Sequence, residues 1–504
     1  MNATPRAAQA CHALGVLACR RGNLHEGAEL FRKAVELDAD FVLGWMDLGA
    51  ALRELADPAG ATACFDRVLA IDPNCAEAHN SRGEALSAQR RHQDALASYE
   101  AAIRLSEGDA RAYSNAGAAL LELGSCHAAI ERFDRALSIR PSYVRAISNR
   151  GSALHYLGRF TEAIAEFDQA LTIQPDCAEA RFNRGLVRLL LGQFKSGLSD
   201  YEARLKAVNA PARDFVQPRW RADSDIKGKT ILVHAEQGLG DTLQFCRYVP
   251  LLAGRGARVV LEAQPELVSV LRALDGAARI VACGDPLPVF DVHCPLLSLP
   301  LACGTDLSNI PSGAACLRAD GQRVLRWQAR LGPKGRAPRI GLAWSGGRLL
   351  KNDRNRNIPL RDLVGTLGDI EAEFISLQKD VRQSDQAALA GSDAVRHFGN
   401  DLEDFADTAA LVSLLDLVVT VDTSVAHLAA AIGKPTWILL PWVPDWRWLL
   451  EREDSPWYPT VRLWRQRTPG DWPAVLAAVR AELAERSRTV SFDNRSISTP
   501  NFPP

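Results

Sequence analysis

The sequence predicts an α-solenoid followed by an α/β region made of two doubly wound, parallel-sheet halves. Two observations carry this reading. Small and aromatic residues recur every 34 positions across residues 8–209, and after residue 230 short β-branched runs alternate with helical stretches. A third observation limits the possible functions: 59 Lys and Arg stand against 60 Asp and Glu, a formal net charge of -1. Coating nucleic acid or an anionic membrane needs a clustered basic excess, so neither is expected.

The period is read from the glycines. Gly15, Gly49, Gly83, Gly117, Gly151 and Gly185 are spaced without a slip. Twelve positions on stand Gly27, Ala61, Ala95, Ala129, Ala163 and Gly197, and four further on stand Phe31, Phe65, Tyr99, Phe133, Phe167 and Tyr201. Three positions later Ala34, Val68, Ala102, Ala136 and Ala170 are apolar, whereas Arg204 breaks the pattern. Pro73, Pro141 and Pro175 mark the ends of three repeats, where proline stops a helix. Each repeat therefore reads as two antiparallel helices that cannot bury their apolar faces alone, so that stacking supplies the core. These positions resemble the tetratricopeptide repeat family over about residues 8–209, as six repeats with degenerate first and last copies.

A stacked solenoid presents a groove. Asn115, Asn149 and Asn183 stand two residues before three consecutive repeat glycines. An asparagine amide both donates and accepts, so a ladder of them can hold the backbone of an extended peptide. The arrangement is similar to the asparagine ladder of O-GlcNAc transferases and implies a protein or peptide partner. The alternative is that these amides join one helix to the next.

Residues 210–229 carry two prolines and mixed charge without helical period, and read as a linker or docking segment. Strands are expected at 231–234, 258–261 and 279–281, with helices at 242–253 and 267–274. After a proline-flanked stretch at 332–338, strands are expected at 339–344, 374–377, 395–398, 417–421 and 436–440, with helices at 424–432 and 471–486. The halves are thus 230–334 and 335–486, facing each other across a cleft, and 487–504 reads as a disordered tail.

Three clusters carry chemistry. Gly238 and Gly240 allow a tight turn after the first strand, and deliver Asp241 to the strand's carboxyl end, where open α/β sheets put their ligands. A carboxylate there can take a proton from an acceptor hydroxyl, with Glu236 in reserve on the same loop; the alternative is a plain helix cap. Asp422, Thr423, Ser424 and His427 run from a strand into a helix rich in small residues, whose free amides suit a phosphate. Ser345 and Gly346 end another strand, with Lys351 and Arg356 close behind, as in a second grip on a diphosphate.

Taken together, these motifs resemble the heptosyltransferase-like glycosyltransferases of family 9, over roughly residues 229–485. Gly240, Asp241, Thr242 and Leu243 match the family's G-D-V-L motif, and Asp422–His427 its D-T-G-x-x-H motif, with Ser424 replacing the glycine. Arg356 aligns with a phosphate-contacting lysine. The resemblance implies the GT-B architecture, a nucleotide-sugar donor on the second half, an acceptor on the first and Asp241 as catalytic base. No D-x-D metal motif accompanies the expected sheet, so neither a metal nor a resident cofactor is expected. Fusion to repeats looks like bacterial proteins of this kind. Two other readings stay open: a scaffold with a decayed transferase domain, and a regulatory nucleotide-binding protein.

No run of about 18 uncharged apolar residues exists, and residues 1–10 lack an apolar core like a signal peptide's. The 11 cysteines are scattered singly. A cytoplasmic protein without a transmembrane segment is the expectation.

Overall fold

The computed structural model describes residues 3–207, 213–313, 315–347 and 353–489. The chain divides into two units, and the division falls between Ala180 and Arg181.

In the first unit, helices follow one another in pairs such as Val42–Glu54 with Pro58–Ile71, and Ala110–Glu122 with Cys126–Ile139. The repeat glycine explains the pairing. A Cβ at Gly117 would sit 2.6 Å from the Phe133 ring, and one at Gly83 would sit 2.5 Å from Tyr99. The aromatic of each second helix therefore fills the space that the glycine leaves on the first. Phe65, Phe133 and Phe167 are buried in this way. A second 34-residue register, not read from the sequence, sets the turn inside each pair. Gly22, Ala56, Arg90, Gly124, Gly158 and Gly192 all adopt positive φ, between 60° and 84°. A left-handed residue is needed there to reverse the chain in two or three residues.

Where an arginine precedes the repeat glycine, it ties neighbouring helices together. Arg150 reaches Asp134 at 2.6 Å and Glu166 at 2.7 Å, and Arg82 reaches Ser98 at 2.9 Å. Asn115, proposed for a peptide groove, is buried; its Nδ2 donates to Asn80 Oδ1 and Glu84 Oε1, both at 3.1 Å. Asn80 donates to the same Glu84 oxygen at 3.2 Å, and Arg53 pairs with Glu84 from the preceding repeat. This amide is spent between helices, as the alternative reading has it. Asn149 and Asn183 are half-buried.

In the second unit, one sheet contains β1 (Thr230–His234), β2 (Arg258–Ala263), β3 (Ala277–Ala282) and β4 (Val292–Pro295), in the order β3-β2-β1-β4. The other contains β5 (Arg339–Ala343), β6 (Glu373–Ser376), β7 (Val395–His397), β8 (Leu417–Val421), β9 (Thr436–Leu440) and β10 (Val461–Arg465), in the order β10-β9-β8-β5-β6-β7. All the pairings are parallel. β8 shows why its run is continuously apolar: Leu417 and Val419 enter one core layer with the helix Trp472–Thr489, and Val418 enters the opposite layer with Trp327 and Leu331. β4 and β10 escape the sequence reading. One is four residues ending in proline, and the other, VRLWR, mixes cations into a partly exposed edge strand.

Two expected helices are broken. The stretch at 242–253 is helix Leu239–Phe245, a 3₁₀ turn and helix Val249–Gly254, where Pro250 starts a new turn; that at 267–274 shortens to Val268–Leu271. The stretch after 210 docks rather than dangles. Trp220 N donates to His293 O at 2.8 Å, and Phe215 packs on His293 and Phe290. The last helix ends at Thr489, and the remainder of the expected tail lies outside the described residues.

The glycine–aromatic contact can be tested. Overpacking costs about 1–3 kcal/mol, which exceeds the ~1 kcal/mol of helix propensity that alanine restores. Gly117→Ala is therefore expected to lower the solenoid's midpoint in denaturant. An unchanged or higher midpoint would show that Phe133 moves aside at no cost.

Candidate active site

The residues of the second and third sequence clusters converge at the carboxyl ends of β5 and β8, which are neighbouring strands. Thr423 caps helix Ser424–Ala431 with an extended backbone, but its side chain makes no capping bond and instead lies 3.3 Å from Thr420 Oγ1. The first amides of the helix are therefore not taken by that side chain. Ser424 is half-buried at this start.

Arg356 lies across the adjacent loop. Its Nη1 donates to Asp422 O at 2.8 Å and its Nη2 to Gly347 O at 3.4 Å. A Cβ at Gly346 would fall 2.1 Å from the guanidinium, so a glycine is what lets the arginine lie there. Arg382, a second cation missed in the sequence, donates to Gly346 O at 3.1 Å and pairs with Asp353. The Nε atoms of Arg356 and Arg382 are buried without a hydrogen-bond partner among the described residues. Ser345 N and Gly346 N donate to Gln378 Oε1 and Asn357 Oδ1, at 3.3 and 3.1 Å. Lys351 lies outside the described residues.

His427 is buried one turn into the helix. Its ring stacks on Trp448 at 5.3 Å, its Nδ1 is 3.0 Å from Tyr458 OH, and its Nε2 is 3.9 Å from Asp422 Oδ1. Burial, together with Arg447 and Arg247, holds the imidazole well below its usual range, so it is neutral at pH 7. Burial and the nearby Asp445 push the Asp422 carboxyl up to about 6, against the pull of Arg356. The Asp422 carboxyl is thus about half protonated near pH 6.

The first sequence cluster reaches the same place from the other sheet. Gly240 abuts His427: a Cβ there would lie 2.8 Å from His427 Cδ2 and 3.5 Å from Ser424 Cα. Asp241 stands at the third position of helix Leu239–Phe245 and does cap it, accepting from Gly238 N at 2.8 Å through Oδ2. Its Oδ1 pairs with Arg447. Burial holds its carboxyl above the usual range, opposed by Arg447.

Arg447 escaped the sequence reading, because nothing local marks it. Its turn, Trp446–Trp448, follows β9 and starts with Asp445, whose carboxylate caps Arg447 N at 3.0 Å. Arg465 at the end of β10 fixes the turn by donating to Trp448 O at 2.5 Å and Leu449 O at 3.0 Å. The Arg447 guanidinium then crosses to the first half, giving Nε to Gln244 Oε1 at 2.6 Å and Nη2 to Asp241, while Nη1 keeps Asp445 at 2.8 Å. A signal existed in the crowding of aromatic and charged residues at 442–448, but its partner lies 206 positions away.

Comparison with known proteins fits this geometry. Residues 403–439, which include Asp422–His427, match the model of glycosyltransferase family 9 (heptosyltransferase), and residues 46–110 and 151–192 match tetratricopeptide repeat models. The chain joins tetratricopeptide repeats to a family 9 glycosyltransferase-like region. Protein FlbA of Caulobacter vibrioides is 25% identical over 308 residues, 56% of this chain and 51% of that protein. The match therefore spans about half the length of that curated relative. Among solved structures, a MamA crystal structure is 24% identical with a TM-score of 0.31, covering 34% of this chain and 94% of its own. Pseudomonas aeruginosa PilF is 19% identical with a TM-score of 0.36, covering 41% and 94%. No helix among the described residues is long and apolar enough to cross a membrane.

In the Arg447–Asp241 pair the guanidinium is buried and the carboxylate half-buried, so removing one partner leaves a poorly solvated charge, a cost of about 1–3 kcal/mol. Arg447→Gln is expected to destabilise the second unit, and adding Asp241→Asn should recover part of that loss. A double-mutant cycle by denaturant unfolding with no coupling between the two would remove the pair as a link between the sheets.

Proposed function

We propose that the α/β unit is a metal-independent glycosyltransferase of GT-B type, moving a sugar from a nucleotide-sugar donor to an acceptor. The observation that carries the reading is the meeting of Gly240, the residue before Asp241, with Ser424 and His427, each at the carboxyl end of its own parallel sheet. In this reading the amides at the start of helix Ser424–Ala431, with Ser345, Gly346, Arg356 and Thr423, receive the diphosphate. Fixed helix ends and guanidinium groups then stabilise the leaving charge, as a metal does elsewhere. With Tyr458 donating to Nδ1, neutral His427 has Nε2–H to offer a phosphate oxygen.

Asp241 acts as the general base. The acceptor oxygen attacks the anomeric carbon as the carbon–oxygen bond to the diphosphate breaks, and the acceptor proton passes to the carboxylate. In this reading the repeats hold a protein or peptide acceptor. One observation favours the non-catalytic alternative: both Asp241 oxygens are engaged. For catalysis, the bond to Gly238 N or the pair with Arg447 must open or be shared as acceptor arrives.

Calorimetric titration of the full chain with a panel of nucleotide sugars tests the donor site. One member is expected to bind, and Arg356→Gln and His427→Ala should each weaken it by one or two charge-assisted hydrogen bonds, about 1.5–3 kcal/mol apiece. Binding that neither variant disturbs would move the donor elsewhere, and no binding by any member would favour the scaffold.

A further inference from the structure

Arg204 is the residue that breaks the repeat pattern, where the five preceding repeats carry Ala or Val. The structure gives the break a purpose. The sixth repeat, from Arg181 on, lies in the same unit as the two sheets, and its last residues pack on the turn that carries Asp241. Tyr201, at the aromatic repeat position, donates from its hydroxyl to Gln237 Oε1 at 3.2 Å, and its ring meets Trp446 at 5.9 Å. Phe194 meets Trp446 and Trp457, both at 6.2 Å.

Arg204 is only 1% exposed, and every arm of its guanidinium is used. Nη2 donates to Glu236 Oε1 at 2.6 Å and to Ser298 Oγ at 2.7 Å; Nε donates to the same Glu236 oxygen at 3.2 Å. Nη1 donates to Glu202 Oε1 at 2.7 Å and to Tyr201 O at 3.4 Å. Glu236 Oε1 also accepts from Leu297 N at 3.1 Å. Three donors therefore fix one oxygen of this carboxylate, while the other, Oε2, is buried without a partner among the described residues. Five residues along the same turn stands Asp241.

We infer that Arg204 is a positioning residue of the transfer site: the sixth repeat belongs to the transferase and holds Glu236 so that Oε2 accepts a hydrogen bond from a second O–H of the acceptor, beside the one that attacks. This rests on the glycosyltransferase reading above. When no other acceptor is present, water attacks and supplies both protons. Water oxygen attacks the anomeric carbon, the bond to the diphosphate breaks, and the proton passes to Asp241. Glu236 orients the water through its other O–H and takes no proton.

The test uses the full chain as wild type, Arg204→Ala, Arg204→Lys and Glu236→Gln. Two readouts are measured: amide hydrogen exchange, and hydrolysis of the nucleotide sugar that binds best in the panel. Arg204→Ala is expected to speed exchange at 237–242 and at Leu297 by about tenfold or more, with the helices of the first unit unchanged. Its hydrolytic kcat should fall about tenfold while the donor KM stays within about twofold, the signature of a lost acceptor contact. Arg204→Lys should be intermediate in both. Glu236→Gln should lower kcat with exchange close to wild type. Unchanged exchange and kcat in Arg204→Ala would overturn the proposal, as would a fall in kcat that only follows the loss of folded protein. A wild-type chain that hydrolyses no donor would instead overturn the glycosyltransferase reading, with the acceptor role of Glu236. The exchange data would then still decide whether Arg204 fixes the turn.

Discussion

The α/β unit depends on one buried cation. Arg447 stands between Asp241 and Gln244 of the first half and Asp445 of its own, with Trp446 and Phe245 against its guanidinium at 4.8 and 5.4 Å. Moving a guanidinium out of water is costly, and only close hydrogen bonding on all sides offsets it. The arrangement therefore specifies the spacing of the two sheets: if they part, charges lose their partners in a low-dielectric interior. The same contact keeps Asp241 ionisable in a place where burial alone favours the neutral acid. Tyr458 extends the constraint, because it holds His427 from one side and meets Arg247 at 4.3 Å on the other. Asp241, His427 and the link between the sheets are thus one connected set of side chains.

The repeats follow a different logic. Each pair is stabilised locally, by an aromatic over a glycine and in some pairs by an arginine between helices, so neighbours in sequence are neighbours in space. Asn115 belongs to this internal bonding, joined through Glu84 to Asn80 and Arg53. The sixth copy keeps the repeat's register but departs from its purpose: Tyr201 and Arg204 exchange solenoid packing for contact with Gln237 and Glu236.

How much was legible in the sequence follows from this contrast. The solenoid was legible because its rules recur every 34 residues, and only the left-handed turn positions were missed, since Ala56 and Arg90 hide a register that glycine shows elsewhere. Strands buried on both faces, such as β5 and β8, were legible as apolar runs. β4 and β10 were not, being short, polar or at an edge. The motifs at Asp241 and Asp422–His427 were legible because their chemistry is local, a turn or a helix start. Arg447, Arg382 and Glu236's dependence on Arg204 were not, because each acts on partners far along the chain; no spacing rule links residue 447 to 241. Arg204 alone advertised itself, as a charge where the pattern demands an apolar residue.

The central claim is that Asp241 deprotonates an acceptor in a donor site built by the second half. The measurement that bears on it most directly is nucleotide-sugar turnover, followed by mass spectrometry, for wild type and Asp241→Asn, with donor affinity determined alongside. A positioned general base contributes about 10²–10⁴-fold, so the variant is expected to lose that much turnover and bind donor within about twofold of wild type. An Asp241→Asn chain that turns over donor at the wild-type rate would contradict the account.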